Sequence, residues 1–459
     1  MLRVINPATE ELLAELQEDD ANTLARRTAS TRAAQRTWAR MPLAERLDAV
    51  RRFGDMLQSR RDSLARTLTA EVGKPIRQSR NELTAMEGRI AFFLEHTAAA
   101  IEEEVVLRSP GPPPLEERIR YEPLGIVANI SAWNYPYFVG SNVFLPALLT
   151  GNAVLYKPSE HATLSGLAIA ELLHEAGVPR EIFLPVVGAG GTGRTLLEQD
   201  VDAVCFTGSY ATGRGVAEAA APRLLRVQLE LGGKDPAYVC DDVDVAAAAA
   251  ALAEGAFYNS GQSCCAVERI YVHRRIAGAF VEAFLDVVRA LVIGDPLDER
   301  TDVGPLARRA QLDVLEAQVA DAVAYGARLE LGGRRRPGRG YYFEATVLTR
   351  ADHRMTLMRE ESFGPIIGVQ EVRDDAEAVA LMNDTDYGLT AAVYTRDRSR
   401  AERILDQVNA GSAYWNCCDR VSPRLPWSGR RHSGLGLTLS VAGIRTFVQP
   451  KGWHLRSEV

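Results

Sequence analysis

An α/β architecture, with a doubly wound nucleotide-binding unit followed by a second α/β unit, is the fold class this sequence predicts. Three observations carry it. Between residues 124 and 232, apolar stretches at 125–130, 153–156, 182–187, 201–206 and 225–231 alternate with helical stretches; strands so separated imply right-handed crossovers and a parallel sheet. After Gly232-Gly233 the alternation resumes, with helical patterns at 277–291 and 309–325 and strand-like pieces at 269–273, 343–348, 366–372 and 390–395. Finally, 459 residues are too many for one core and suit two or three domains.

Taken in order, residues 21–105 read as several helices with charged faces and few strand signals. Ser109-Pro-Gly-Pro-Pro-Pro114 then interrupts the chain between Val105-Val106 and Arg118-Ile-Arg-Tyr121, which predicts a projecting hairpin or arm. In the first α/β unit the stretch 165–177 places Ile169, Leu172, Leu173 and Ala176 at i, i+3, i+4 and i+7. In the second, 309–325 puts Leu312, Leu315, Val319, Ala322 and Val323 on one face. The alanine run 246–251 is good helix, and 444–455 reads as an extended tail.

The composition, 46% hydrophobic and 25% charged, is that of an ordinary globular protein, and a net charge of −7 argues against nucleic acid as partner. Six cysteines without a C-x-x-C, and seven histidines outside any ligand spacing, predict neither disulfide framework nor metal site. With no apolar leader and no 18-residue apolar run, the expectation is a cytoplasmic protein that does not engage a membrane.

The chemistry concentrates in Phe257-Tyr-Asn-Ser-Gly-Gln-Ser-Cys-Cys-Ala266. Gly261 and Ser263 leave room for a turn and for a reacting carbonyl, so Cys264 would be presented at an element end; a thiol needs little activation to act as nucleophile. Two glycine clusters compete for a nucleotide. Gly188-Ala-Gly190-Gly-Thr-Gly193 spells the G-x-G-x-x-G fingerprint but lacks the acidic residue about twenty positions on. Phe206-Thr-Gly208-Ser209, followed by Gly213, opens a helix whose free N–H groups and dipole suit a pyrophosphate.

The pattern F-x-N-x-G-Q-x-C ending at Cys264 resembles the active-site signature of the aldehyde dehydrogenase superfamily, and matching motifs run in the family's order from Asn6-Pro-Ala-Thr-Glu10 to Gly434. The resemblance implies a Rossmann-type nucleotide domain (1–104 and 123–232), an α/β catalytic domain (233–432) and a small oligomerisation arm (105–122 and 433–459) that would join homodimers or homotetramers. It implies NAD(P)-dependent oxidation of an aldehyde, with Cys264 as nucleophile. Asn134, in Ala-Trp-Asn-Tyr-Pro, would point an amide N–H at the oxyanion beside the Cys264 N–H. Glu230 is a carboxylate in an apolar strand ending in two glycines, where burial raises its pKa into a general base's range.

For the cofactor, the resemblance lays Phe206, Gly208 and Ser209 on the pyrophosphate and Gly190 beside the adenine. Lys157 and Glu160 would hold the adenosine ribose and Glu361 the nicotinamide ribose, with Phe363, Trp133, Ile130 and Leu231 alongside. A carboxylate at Glu160 favours NAD over NADP, since a 2′-phosphate would face a like charge. For the substrate it implies Tyr135, Asn142, Ser263, Cys265, Val421, Arg424 and Trp427. Arg424 suits a semialdehyde carboxylate, whereas Tyr135 and Trp427 could flank the ammonium of an aminoaldehyde; aromatic or aliphatic aldehydes fit the same set. Ser428 and the loop Arg430-Arg-His-Ser433 depart from the family pattern. Rival readings are a CoA-acylating relative, which the base Glu230 opposes, a non-catalytic relative, opposed by the retention of Cys264, Glu230 and Asn134, and a cofactor-free cysteine hydrolase, which would want a histidine in a motif.

Overall fold

The computed structural model describes residues 1–456, so the last three positions of the segment 433–459 lie outside it. Local chemistry sets the helical layer of the first hundred residues. Asp20 caps Ala21–Arg40 by accepting from the Thr23 N–H at 2.7 Å. Leu43–Ser59 and Arg61–Val72 follow, the latter ended by Gly73 at φ +84°, and Ile76–Ala100 completes the layer. Ahead of these helices Leu2–Ile5 and Leu12–Leu16 pair as an antiparallel ribbon that the sequence pattern did not announce.

Two sheets form the body. The first runs Gly434–Leu435, Arg226–Glu230, Ala203–Thr207, Ile126–Ile130, Ala153–Lys157, Phe183–Pro185, parallel except at its first pair. These are the expected apolar stretches, with the crossover helix observed at Thr163–Glu175. The second sheet has seven strands, with Arg269–His273 and Pro236–Val239 near its centre, and only Arg328–Leu331 runs antiparallel to its neighbour. A separate antiparallel sheet of Val448–Arg456, Leu115–Pro123 and Glu104–Ser109 is the arm, with Val105, Val106 and Leu107 exposed.

Three expectations change. Val323 is 46% exposed and falls outside the buried face of Ala310–Ala324; Gln311 and Gln318 are buried there instead. Residues 444–445 end a short helix, Ser440–Arg445, so the extended tail begins only at Val448. The stretch 433–447, grouped by sequence with the arm, returns to the nucleotide-type unit: Gly434–Leu435 pairs with its edge strand and the short helix packs on Ile76–Ala100.

One helix links this architecture to the chemistry. Pro136–Leu149 lies between Ile76–Ala100 and the strands Ile126–Ile130 and Ala153–Lys157, and directly follows Asn134. Pro136 at its first position has no N–H to satisfy. The next two donors, Tyr137 N and Phe138 N, are accepted by Glu82 at 2.9 and 3.3 Å. Glu82 is itself ion-paired to Lys74, both fully buried, and Lys74 Nζ sits 3.7 Å from the centre of the Tyr135 ring. Removing one partner of such a pair leaves an uncompensated buried charge. Lys74→Met should therefore lower stability by about 3–5 kcal/mol, read as a marked drop in the thermal inactivation midpoint. An unchanged midpoint would show that the Lys74–Glu82 pair adds nothing to stability.

Candidate active site

The loop that presents Cys264 owes its shape to three successive left-handed residues. Helix Val245–Phe257, capped by Asp244, ends in a short turn where Asn259 (φ +52°), Ser260 (φ +57°) and Gly261 (φ +70°) reverse the chain. A Cβ on Gly261 would lie 2.3 Å from the Gly364 carbonyl oxygen, so only glycine fits. Side-chain amides hold the turn. Asn259 Nδ2 donates to the carbonyls of Asn134 (3.2 Å) and Gln262 (3.0 Å), while Gln262 Oε1 accepts from Ala307 N at 2.9 Å. Asn134 Nδ2 donates to Gln262 O at 3.2 Å with one hydrogen, which leaves its second for a ligand.

Cys264 emerges half-buried into a cavity of about 840 Å³ between the two α/β units. The same cavity is lined by Asn134 and Glu230, so the three residues expected to be catalytic are brought together from a loop, a strand end and a turn. Glu230 is 6% exposed, the last residue of its strand. It accepts from Gln228 Nε2 at 3.0 Å and from the Thr438 hydroxyl. Burial pushes its pKa up to about 7 against the pull of Thr438, Gln228, Arg89 and Asn142.

All eleven expected cofactor residues line this cavity: Ile130, Trp133, Lys157, Glu160, Gly190, Phe206, Gly208, Ser209, Leu231, Glu361 and Phe363. Both competing glycine clusters open onto it, each at a helix N-terminus. Gly190–Leu197 begins at the first, and Tyr210–Ala220 at the second, where Ser209 Oγ accepts from Thr212 N at 3.4 Å. A Cβ on Gly208 would stand 2.5 Å from the Phe206 ring. Free N–H groups, helix dipoles and a side-chain-free cradle suit a dinucleotide pyrophosphate.

Glu361 is set by a buried lattice of charges. Glu268 takes the Ser362 and Phe363 N–H groups at 2.8 and 2.9 Å and pairs with Lys234 at 2.6 Å, which fixes Phe363 at φ +49°. Glu361 accepts from Gly233 N at 3.2 Å, and a Cβ on Gly232 would meet its carboxylate at 2.3 Å. Burial, then Glu268, raise Glu361 to about 8. Phe363 meets Trp133 edge-on at 5.4 Å.

The expected substrate residues are scattered by comparison. Ser263 Oγ and Cys265 Sγ both donate to Asp419 Oδ1, at 3.0 and 2.9 Å. Trp427 and Cys265 are buried in the core on which Cys264 and Val421 pack. Tyr135 stacks on Phe138 at 6.4 Å, and Arg424 is exposed. None of the seven lines the cavity that holds Cys264, and Asn142 is buried with its side-chain oxygen on Arg89. Sequence reasoning missed Arg308 and Gln311, which line the cavity from the second unit, and Asp419 and Thr438. Gln228 was legible, since it shares a strand face with Glu230 two residues on.

The model of the aldehyde dehydrogenase family matches residues 1–452. The chain is similar to the betaine aldehyde dehydrogenase of Sinorhizobium fredii, 36% identical over 459 residues, covering 98% of this chain and 93% of that one. Among solved structures it resembles an E. coli NADP-dependent enzyme (TM-score 0.96, 30% identity, 99% of this chain and 95% of the other). It also resembles a betaine aldehyde dehydrogenase from Staphylococcus aureus in complex with NAD+ (TM-score 0.94, 31% identity, 99% and 93% covered).

The amide knot generates a test independent of any substrate. Asn259→Ala removes two donors to buried carbonyls, a loss of ~1–3 kcal/mol in positioning. It should cut kcat/KM about tenfold to a hundredfold while cofactor affinity, measured by fluorescence titration, holds. Full activity in this variant would show that the turn keeps its shape without Asn259.

Proposed function

The chain belongs to the aldehyde dehydrogenase family of NAD(P)-dependent oxidoreductases, and from that premise we propose that it is a hydrolytic, NAD-preferring member acting on an aldehyde with a cationic far end. The meeting of Cys264, Asn134 and Glu230 on one cavity carries the reaction type. The Cys264 thiolate adds to the aldehyde carbon, and the resulting oxyanion is held by the spare Asn134 N–H and the Cys264 backbone N–H. Residues from Lys157 to Phe363 would hold NAD(P)+, which supplies the hydride acceptor when bound. Cys264 is then left with an acyl thioester. Glu230 accepts a proton from water, whose oxygen attacks the thioester and returns the carboxylic acid and the free thiol.

The substrate reading rests on Asp419. It touches the residues on both sides of Cys264, and the cations nearest it turn elsewhere: Arg420 to Glu254 at 3.5 Å, Lys74 to Glu82. A carboxylate beside Cys264 that is hydrogen-bonded by Ser263 and Cys265 but ion-paired to neither cation suits an ammonium group. Tyr135 contributes less, because Lys74 already occupies one of its faces. The names of the betaine aldehyde dehydrogenase relatives agree with this class. For the cofactor, burial pushes Glu160 upward, but its own backbone N–H, Lys157 and His161 outweigh it and hold it ionised, against a 2′-phosphate. Assembly into dimers or tetramers through the arm fits the exposed Val105–Leu107 strand.

Two outcomes follow. With Glu230 near 7, turnover should fall as pH drops through about 7 and the base takes up its proton. In Glu230→Gln that limb should vanish and acyl-enzyme accumulate after a burst of reduced cofactor; steady turnover equal to wild type would remove Glu230 from the mechanism. In an aldehyde panel run with NAD and with NADP, aminoaldehydes and NAD should give the highest kcat/KM. Asp419→Asn should raise KM for cationic aldehydes about tenfold, ~1.4 kcal/mol, and spare neutral ones. Preference for a carboxylate-bearing semialdehyde would refute the cationic reading.

A further inference from the structure

The two hydrogen bonds that hold the Glu230 carboxylate end on the same oxygen. Gln228 Nε2 donates to Oε1 at 3.0 Å, and the Thr438 hydroxyl donates to Oε1 as well. Both donors are buried, and neither belongs to the cavity wall. Oε2 makes no hydrogen bond with the described residues. Yet it is not among the buried side-chain atoms sealed off without a partner, although Glu230 as a residue is buried. Glu230 lines the cavity that Cys264 enters, so Oε2 is the oxygen that the carboxylate turns to it.

The backbone sets up this one-sided hold. Gln228 and Glu230 stand two apart in Arg226–Glu230 and so share a face of the strand. The last segment of the chain reaches the strand's edge: Gly434 pairs opposite Glu230, and Leu231 N donates to the Ser433 carbonyl at 3.0 Å. Gly436, at φ +82°, then turns the chain over Gln228, where a Cβ would lie 3.2 Å from Cγ. Thr438 arrives with its N–H and carbonyl committed to Trp427 at 2.9 and 2.8 Å. Its side chain alone is left for the carboxylate.

An ionised carboxylate has no hydrogen of its own, so the hydroxyl and the amide N–H both donate to it. When Glu230 takes up a proton, the choice of oxygen matters. With the proton on Oε2, Oε1 remains a carbonyl-type acceptor and both buried donors keep their partner. With the proton on Oε1, a third hydrogen would crowd two donors already aimed there, and a buried hydrogen bond would break. We propose that Gln228 and Thr438 are positioning residues that fix the carboxylate plane through Oε1 and make Oε2 the atom that takes a proton from water in thioester hydrolysis. In that step the water oxygen bonds to the acyl carbon and one water proton passes to Oε2. The carbon–sulfur bond breaks, and its electron pair returns to Cys264 as thiolate. A carboxylate free to rotate about its last side-chain bond would present Oε2 to water for only part of the time.

The inference rests on the reading of Glu230 as general base, and the test separates the two. Acyl-enzyme is formed in a single turnover with excess NAD+, and its decay is followed in wild type, Thr438→Val, Thr438→Ser, Gln228→Met and Glu230→Gln, beside steady-state kcat and KM. Thr438→Val keeps the side chain's shape and both backbone bonds to Trp427 but removes the hydroxyl. Decay and kcat should fall about tenfold, part of the roughly hundredfold or more that a general base supplies. Because acylation is spared, kcat/KM should hold within about twofold and KM should fall with kcat. Thr438→Ser restores the hydroxyl and should bring decay back to within about threefold of wild type. Gln228→Met, which keeps the length and loses the N–H, should slow decay by about threefold to tenfold. Wild-type decay in both Thr438→Val and Gln228→Met, with Glu230→Gln stalled as acyl-enzyme, overturns the positioning and leaves the base. An equal loss in Thr438→Val and Thr438→Ser, or a fall in kcat/KM as large as that in kcat, overturns it too, since only a change of packing does that. Decay at the wild-type rate in Glu230→Gln overturns the reading of the base instead. Should Thr438→Val fail to fold, wild-type decay in Gln228→Met overturns the positioning as surely.

Discussion

The site depends first on a knot of amides between two parts of the chain that are more than a hundred residues apart. Asn259 ties the Asn134 carbonyl to the turn before Cys264, and Asn134 returns a hydrogen bond to Gln262. Because these groups are buried, each broken bond would leave an unsatisfied donor or acceptor, and the arrangement has little freedom to drift. Cys264 and the side chain of Asn134, the proposed nucleophile and oxyanion donor, are thereby fixed to one another before any substrate arrives. Preorganisation of this kind is what allows an N–H to stabilise charge that exists only in the transition state.

Around the knot, the structure repeatedly uses a carboxylate held out of water to set backbone. Glu82 caps the helix after Asn134, Glu268 fixes the stretch bearing Glu361 and Phe363, and Glu71 accepts the Leu164 and Ser165 N–H groups at 2.5 and 2.9 Å. Where a lysine stands by, as for Glu82 and Glu268, the charge is matched. Glu71 and Glu230 have no such lysine, and burial raises both to about 7. The same physics gives a structural acceptor in one place and the proposed base in another. What separates them is access: Glu230 faces the cavity shared with Cys264.

Much of this was legible in the sequence. The five strands of the nucleotide-type unit, the crossover helices and the arm follow from periodicity and from proline content, because those signals are local. The expected catalytic and cofactor residues converge on one cavity, lying at or near the ends of predicted elements. The misses have a common cause. Asp419 and Thr438 lie far in sequence from the residues they touch, and an aspartate in a loop reads as a solvated charge until the packing is known. The expected substrate residues, Asn142 among them, lie off the cavity wall, since sequence spacing cannot say which side of a helix or loop faces the cavity. The ribbon at the N-terminus was missed because two short strands with mixed polarity carry no clear period.

The closing of the sheet ties Glu230 to Trp427 through the last segment of the chain. Gly434–Leu435 adds to the edge of Arg226–Glu230 with Gly434 opposite Glu230. Gly434 takes φ +152°, and a Cβ there would lie 2.4 Å from the Leu229 carbonyl oxygen, so the approach requires glycine. Four residues later Thr438 exchanges backbone hydrogen bonds with Trp427 at 2.8 and 2.9 Å while its hydroxyl reaches Glu230. The residue whose hydroxyl holds the carboxylate is thus the residue that fixes the backbone of the buried Trp427. With Glu230 as the proposed base, a substitution that moves Trp427 is expected to reach the carboxylate through this one threonine.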